Sequence, residues 1–116
     1  MNSFEIQWDT SKKYPVIFLK GDITIDSSEK IQDAYNEIKN AVSSKTLIFD
    51  FNDSKYINSS GISSLIKILQ NHQEVNGKFI FTGLSDHMTK VLDIVGLTEY
   101  VTICSNLDSA FKTAEI

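Results

Sequence analysis

Arginine is absent from this 116-residue chain, and cysteine, proline and tryptophan occur once each. The lone Cys104 cannot close an internal disulfide. Neither it nor His72 or His87 has a neighbour at metal-ligand spacing, so a disulfide scaffold and a zinc site are both unexpected. All 11 basic residues are lysine, set against 15 acidic ones for a formal charge of −4. Nucleic acid is therefore not an expected partner, because phosphate backbones select a basic surface and commonly the bidentate fork of arginine. No apolar run approaches the roughly 18 residues of a membrane span. The opening Met1-Asn2-Ser3-Phe4-Glu5 lacks the basic-then-apolar pattern of a signal peptide, and a cytoplasmic address with no membrane insertion is expected. Glycine-rich phosphate loops are missing as well, and no bound cofactor is expected.

What is present reads as one domain over residues 1–116, with 41% hydrophobic residues to build one core. Phe4, Ile6 and Trp8 alternate as a first strand, and Tyr14 to Leu19 forms a second whose near-continuous apolar run predicts burial on both faces. Thr10 to Lys13 would join them as a hairpin. Ile31, Ala34, Tyr35, Ile38 and Val42 follow helical spacing, with Asp26, Ser27 and Ser28 as candidate caps. Three further units repeat strand then helix. They are Thr46 to Phe51 with Ile62, Leu65, Ile66 and Leu69; Phe79 to Thr82, after an Asn76-Gly77 turn, with Met88, Val91, Leu92 and Val95; and Tyr100 to Cys104 with Leu107, Ala110, Phe111 and Ala114. The order ββαβαβαβα predicts an α/β fold: a mixed, mostly parallel sheet with an N-terminal β-hairpin and helices packed on it. Trp8, Met88, Cys104 and the phenylalanines are expected in the core, and the two histidines on the surface.

The most informative stretch runs from Asp50 to Gly61, from the end of a buried strand into a helix. In parallel sheets the carboxyl ends of strands and the amino ends of the following helices form the ligand-facing rim. Asn58, Ser59 or Ser60 can each cap the helix, and by itself Asn-Ser-Ser-Gly is accounted for by capping alone. Asp50 and Asp53 are read as strand-end residues that bond the amides of the next turn.

The whole chain nevertheless resembles the STAS family, the domain of bacterial anti-sigma factor antagonists. That family's pattern is Asp-Leu-Ser, a few residues, an aliphatic residue, then Asp-Ser-Ser/Thr-Gly; Asp50 through Gly61 has the same length and anchors. Leu19-Lys20-Gly21-Asp22-Ile23 is similar to the family's Leu-x-Gly-x-Leu turn. Val95 through Val101 and Leu107 through Phe111 are similar to its closing Gly-Leu, strand and helix. The resemblance implies that Ser59 is a phosphoacceptor, with Ser60 as the fallback. It further implies a non-enzymatic partner switch: the unphosphorylated domain binds an anti-sigma factor that is also a serine kinase and so frees the sigma factor. Phosphorylation ends that complex and a metal-dependent serine phosphatase restores it. The partner-binding face would comprise the Gly21 to Ser28 turn, the Asn58 to Ile62 helix start and part of the following helix, through Asp22, Thr24, Asn58, Ser59, Ser60, Gly61, Ile62 and Ser63. Two positions depart from the pattern: Asn58 stands where the family carries an acidic residue, and Thr24 where many members carry Asp.

Rival chemistries lack their residues. A receiver domain would place an acidic pair after the first long strand, where this chain has Lys20-Gly21-Asp22, and its all-parallel sheet would not begin with a hairpin. Ser59 has no Gly-x-Ser-x-Gly elbow and no nearby base, so hydrolase chemistry is not expected. The remaining alternative keeps the fold and changes the role: a STAS-like docking subunit that is never phosphorylated, in a stress-sensing scaffold or beside a membrane lipid or anion transporter.

Overall fold

The computed structural model describes residues 4–116. Along the chain lie β1 (Glu5–Asp9), β2 (Val16–Lys20), α1 (Ile25–Ala41), β3 (Thr46–Asp53), α2 (Ser59–Gln73), β4 (Lys78–Thr82), α3 (Asp86–Ile94), a 3-10 turn (Leu97–Glu99), β5 (Thr102–Cys104) and α4 (Leu107–Ala114). The five strands form one sheet in sequence order, β1-β2-β3-β4-β5. β1 is antiparallel to β2, and every later pair is parallel. The predicted fold class is the one observed.

Because each parallel strand is laid beside the previous one in the same direction, right-handed crossovers put α1, α2 and α3 on one face. Alternation along the strands decides what they meet. Ile17, Leu19, Leu47, Phe49, Phe51, Phe79 and Phe81 point to that face and join Ile31, Tyr35, Ile38, Leu65, Ile68, Leu69, Met88 and Leu92 in the main core. Val16, Ile48 and Ile80 point the other way, into a smaller cluster closed by Ala110 of α4. Phe49, Phe51, Phe79 and Phe81 form a ladder across the two central strands, with Phe49 and Phe81 stacked at 5.6 Å and Phe51 and Phe81 edge-on at 4.9 Å. Truncating any of these rings to alanine should cost about 3–5 kcal/mol.

Several boundaries and burials differ from the sequence reading. β2 starts at Val16, since Pro15 has no N–H to donate, and Tyr14 packs beside α4 instead. β3 runs two residues past Phe51, and β5 is shorter than expected because Tyr100 closes the 3-10 turn. Thr24 caps α1 two to four residues earlier than Asp26, Ser27 or Ser28 would; its hydroxyl accepts the Asp26 N–H, while Ser27 Oγ accepts the Thr24 N–H at 2.7 Å. Trp8 is 37% exposed, on an outermost strand with a sheet neighbour on one side only. Cys104 is half-buried beside Thr113.

His72 is the largest correction: it is 3% exposed. Its Nε2 lies 2.7 Å from the Lys45 carbonyl and its Nδ1 3.0 Å from the Tyr35 hydroxyl. A carbonyl can only accept, so Nε2 carries the proton and Nδ1 accepts from Tyr35. The ring also stacks on Phe79 at 4.6 Å. Burial lowers its pKa, and nearby Lys39 acts the same way, against the opposing backbone bonds. Among the described residues, no helix is long and apolar enough to cross a membrane.

Candidate functional site: the rim around the start of α2

The carboxyl ends of β2 and β3 are closed by two loops that are zipped together. Gly21 N–H donates to the Asp53 carbonyl at 3.0 Å, and Ser54, fully buried, donates its hydroxyl to the Gly21 carbonyl at 2.7 Å. Ile23 and Ile57 then form an isolated parallel bridge, in which Ile23 N–H donates to the Tyr56 carbonyl at 3.0 Å and Asn58 N–H to the Ile23 carbonyl at 3.1 Å. Both isoleucines point into the core, so the residues on either side of Ile57, namely Tyr56 and Asn58, face outward.

Asn58 ends this extended segment and caps α2: its side-chain oxygen accepts the Gly61 N–H at 2.9 Å. Gly61 is buried directly against the β2–α1 turn. A Cβ there would stand 2.4 Å from the Ile23 carbonyl oxygen, which is why the helix start can sit this close only with glycine. Ser59, the first residue of α2, is exposed. Ser60 is half-buried and lines an open groove between α1 and α2, together with Ser28, Ser63, Ser64 and Lys67. The hydroxyls of Ser28 and Ser64 touch across that groove, and Ser63 and Ser64 bond back to the Ser59 and Ser60 carbonyls at 3.1 Å each.

Thus Thr24, Asn58, Ser59, Ser60 and Ser63 come together with Asp22 on one rim, while Gly61 supports that rim from beneath and Ile62, expected on it, packs against the main core. Asp50 lies apart from this face; its carboxylate accepts the Asn52 N–H at 3.0 Å. Among the described residues, no group of three or more histidine, cysteine or carboxylate side chains converges as a metal site. The sequence reading overlooked Tyr56 and His87, whose rings stack at 5.4 Å and 9° on the same edge. Its available signal was Tyr56 alternating with a buried isoleucine. Also overlooked was Ser85, which caps α3 through the Met88 N–H and donates to the Lys55 carbonyl at 3.1 Å, tying the β4–α3 turn to the β3–α2 loop.

A search of solved structures finds the same fold in proteins of low sequence identity. An anti-sigma factor antagonist from Mycobacterium paratuberculosis superposes with a TM-score of 0.84 at 16% identity, over 98% of this chain and 96% of that one. The Bacillus cell fate determinant SpoIIAA in its phosphorylated form gives 0.69 at 21% identity, over 96% and 99%. A sulfate transporter family protein from Wolinella succinogenes gives 0.73 at 17%, over 92% and 93%. The family model for the STAS domain matches residues 5–110, and the chain belongs to the STAS family.

Proposed function

We propose that this chain is an anti-sigma factor antagonist that acts by partner switching and itself catalyses nothing. In its unphosphorylated form it binds an anti-sigma factor that is also a serine kinase, and so frees the sigma factor. Phosphorylation of Ser59 ends the complex, and a metal-dependent serine phosphatase restores it. The observation that carries this reading is the exposed Ser59 at the first position of α2, in the middle of a rim whose backbone is fixed from both sides. The half-burial of Ser60 beneath α1 favours Ser59 as acceptor.

Phosphorylation brings about −1.5 to −2 charges and three acceptor oxygens. At a helix N-terminus the domain itself accommodates that charge. A kinase active site, by contrast, already holds nucleotide phosphates where the new phosphate would face them, so the cost falls on the interface. A micromolar complex is worth about 8 kcal/mol, and a few kcal/mol of repulsion and lost solvation suffices to open it.

A second reading rests on Asn58, which lacks the family's acidic charge, and on the likeness to a sulfate transporter family protein. In it the same rim is a constitutive dock for a scaffold or a transporter. Pull-downs from native lysate with wild-type and Ser59→Asp baits separate the two. Capture of an ATP-binding serine kinase by wild type, lost in the variant, supports the switch; retention of the same transporter or scaffold subunits by both baits refutes it.

A further inference from the structure

The rim extends beyond the residues assigned to the switch. Tyr56 is 45% exposed although it is large and partly apolar, and its outward ring lies parallel to that of His87, itself exposed. An offset stack of this kind leaves the outer ring face open while restricting both side chains. The backbone beneath is held on both sides: the Tyr56 carbonyl accepts from Ile23, and Ser85 bridges its own helix start to the Lys55 carbonyl. Gly83, at φ +70°, lets the β4–α3 turn approach to where a Cβ would be 2.9 Å from the Asn52 nitrogen. The pair is therefore preorganised, and Tyr56 is two residues from the Asn58 cap.

The charge around it is mainly acidic. Asp22, Asp26, Asp53 and Asp86 stand at this end of the sheet. The lysines there are Lys20, which leans on Glu5 at 3.9 Å, Lys55, and Lys90 one turn into α3. An acidic rim with an open aromatic face complements a basic surface, and a guanidinium or ammonium over the tyrosine ring gains both from the quadrupole and from the neighbouring carboxylates. We propose that the Tyr56–His87 stack is an anchor of the partner-binding face and receives a cationic side chain from a basic protein surface. This deepens the partner-switching reading and rests on it: the surface meant is that of the anti-sigma kinase.

The test uses the kinase recovered with wild type in the Ser59 comparison, purified and loaded with ADP, with binding kinetics measured against variants whose circular dichroism and thermal midpoint match wild type. Tyr56→Ala is expected to weaken binding roughly 10- to 100-fold, as truncated aromatic anchors do, mainly through faster dissociation. Tyr56→Phe should stay within about 3-fold, since it keeps the ring face. Tyr56→Leu, which keeps bulk without a π face, should resemble Tyr56→Ala. Asp86→Asn should slow association and flatten its salt dependence. Tyr100, 60% exposed beyond α3, serves as control, and Tyr100→Ala should bind as wild type. Wild-type binding by Tyr56→Ala, with Ser59→Asp still inactive, overturns the anchor and leaves the switch standing. Wild-type binding by Tyr56→Leu overturns the cationic occupant. If wild type retains no kinase, the switch and the anchor fall together.

Discussion

Gly61→Ala should destabilise the fold even though alanine is the better helix former. The added Cβ would lie 2.4 Å from the Ile23 carbonyl oxygen and 2.8 Å from Ile57 Cγ1, against an ordinary carbon–oxygen contact of about 3.3–3.6 Å. The start of α2 must therefore move by close to an ångström. It cannot do so freely, because the same Ile23 carbonyl accepts the Asn58 N–H, and Ile23 N–H is held by the Tyr56 carbonyl. Overpacking of this kind costs about 1–3 kcal/mol, and each hydrogen bond stretched beyond use adds roughly 1 kcal/mol. Helix propensity returns at most about 1 kcal/mol. The net expectation is a loss of about 2–3 kcal/mol, a drop on the order of 10 °C in thermal midpoint for a chain of this length. Urea unfolding with an unchanged m-value measures it. A control separates sterics from backbone strain: Gly96 sits at φ +80° with nothing within 4 Å of its virtual Cβ. There asparagine, which tolerates the left-handed region, should restore most of what alanine loses, whereas Gly61→Asn should rescue nothing. A Gly61→Ala protein as stable as wild type would refute the close approach, and with it the account of how the rim is held.

Three other outcomes are expected. Because burial holds the His72 pKa below the ordinary value of about 6.5, the unfolded chain gains a proton that the folded chain refuses. Stability from this group is full above pH 6.5 and falls below it, by at most ~1.4 kcal/mol per pH unit; chemical denaturation between pH 6.5 and 5 should show a flatter limb for His72→Gln, and an unchanged limb would mean that His72 is charged when folded. Asn58→Ala should cost about 1 kcal/mol by removing the cap on Gly61, while Asn58→Asp keeps the cap and gains about 0.3–1 kcal/mol from the helix dipole, a difference legible in thermal midpoints. Ser59→Asp should leave stability unchanged or raised by a few tenths of a kcal/mol at the same helix start; a fall of several degrees would show that charge at this position damages the domain and not its interface.

Most of the architecture was legible because period and order sufficed for it: three helical stripes between apolar runs, after a hairpin, give a mixed, mostly parallel sheet, and the crossovers then add each strand beside the one before it. The rim followed from that order, since the carboxyl ends of parallel strands face the helix starts. What escaped depended on contacts between distant residues. His72 looks like a surface histidine in its own helix; its burial needs Tyr35 of α1, Phe79 of β4 and the Lys45 carbonyl, and no local pattern contains all three. Thr24 lost its capping role in the sequence reading because Asp26, Ser27 and Ser28 are equally good caps, and the choice was made by the Ile23–Ile57 bridge, which fixes where the chain turns. The Tyr56–His87 stack joins the β3–α2 loop to the first turn of α3, 31 positions on in sequence, so neither residue alone announced it.

The zip between Ile23 and Ile57 bears on the partner switch proposed for this rim. A switch by shape needs an element with two arrangements of similar free energy. Here the β2–α1 turn, the extended approach to Asn58 and the first turn of α2 are joined by backbone hydrogen bonds at 3.0 and 3.1 Å, an asparagine cap and a glycine contact that leaves no room for sliding. None of these groups is the Ser59 hydroxyl, so charge can be added at Ser59 without removing any of them. A modification there changes the potential of the face and the volume above it while the backbone stays where it is. Binding energy lost on phosphorylation would then come from the partner's side of the interface, which makes the free energy of the switch a property of the complex and leaves the stability of the domain nearly independent of its state.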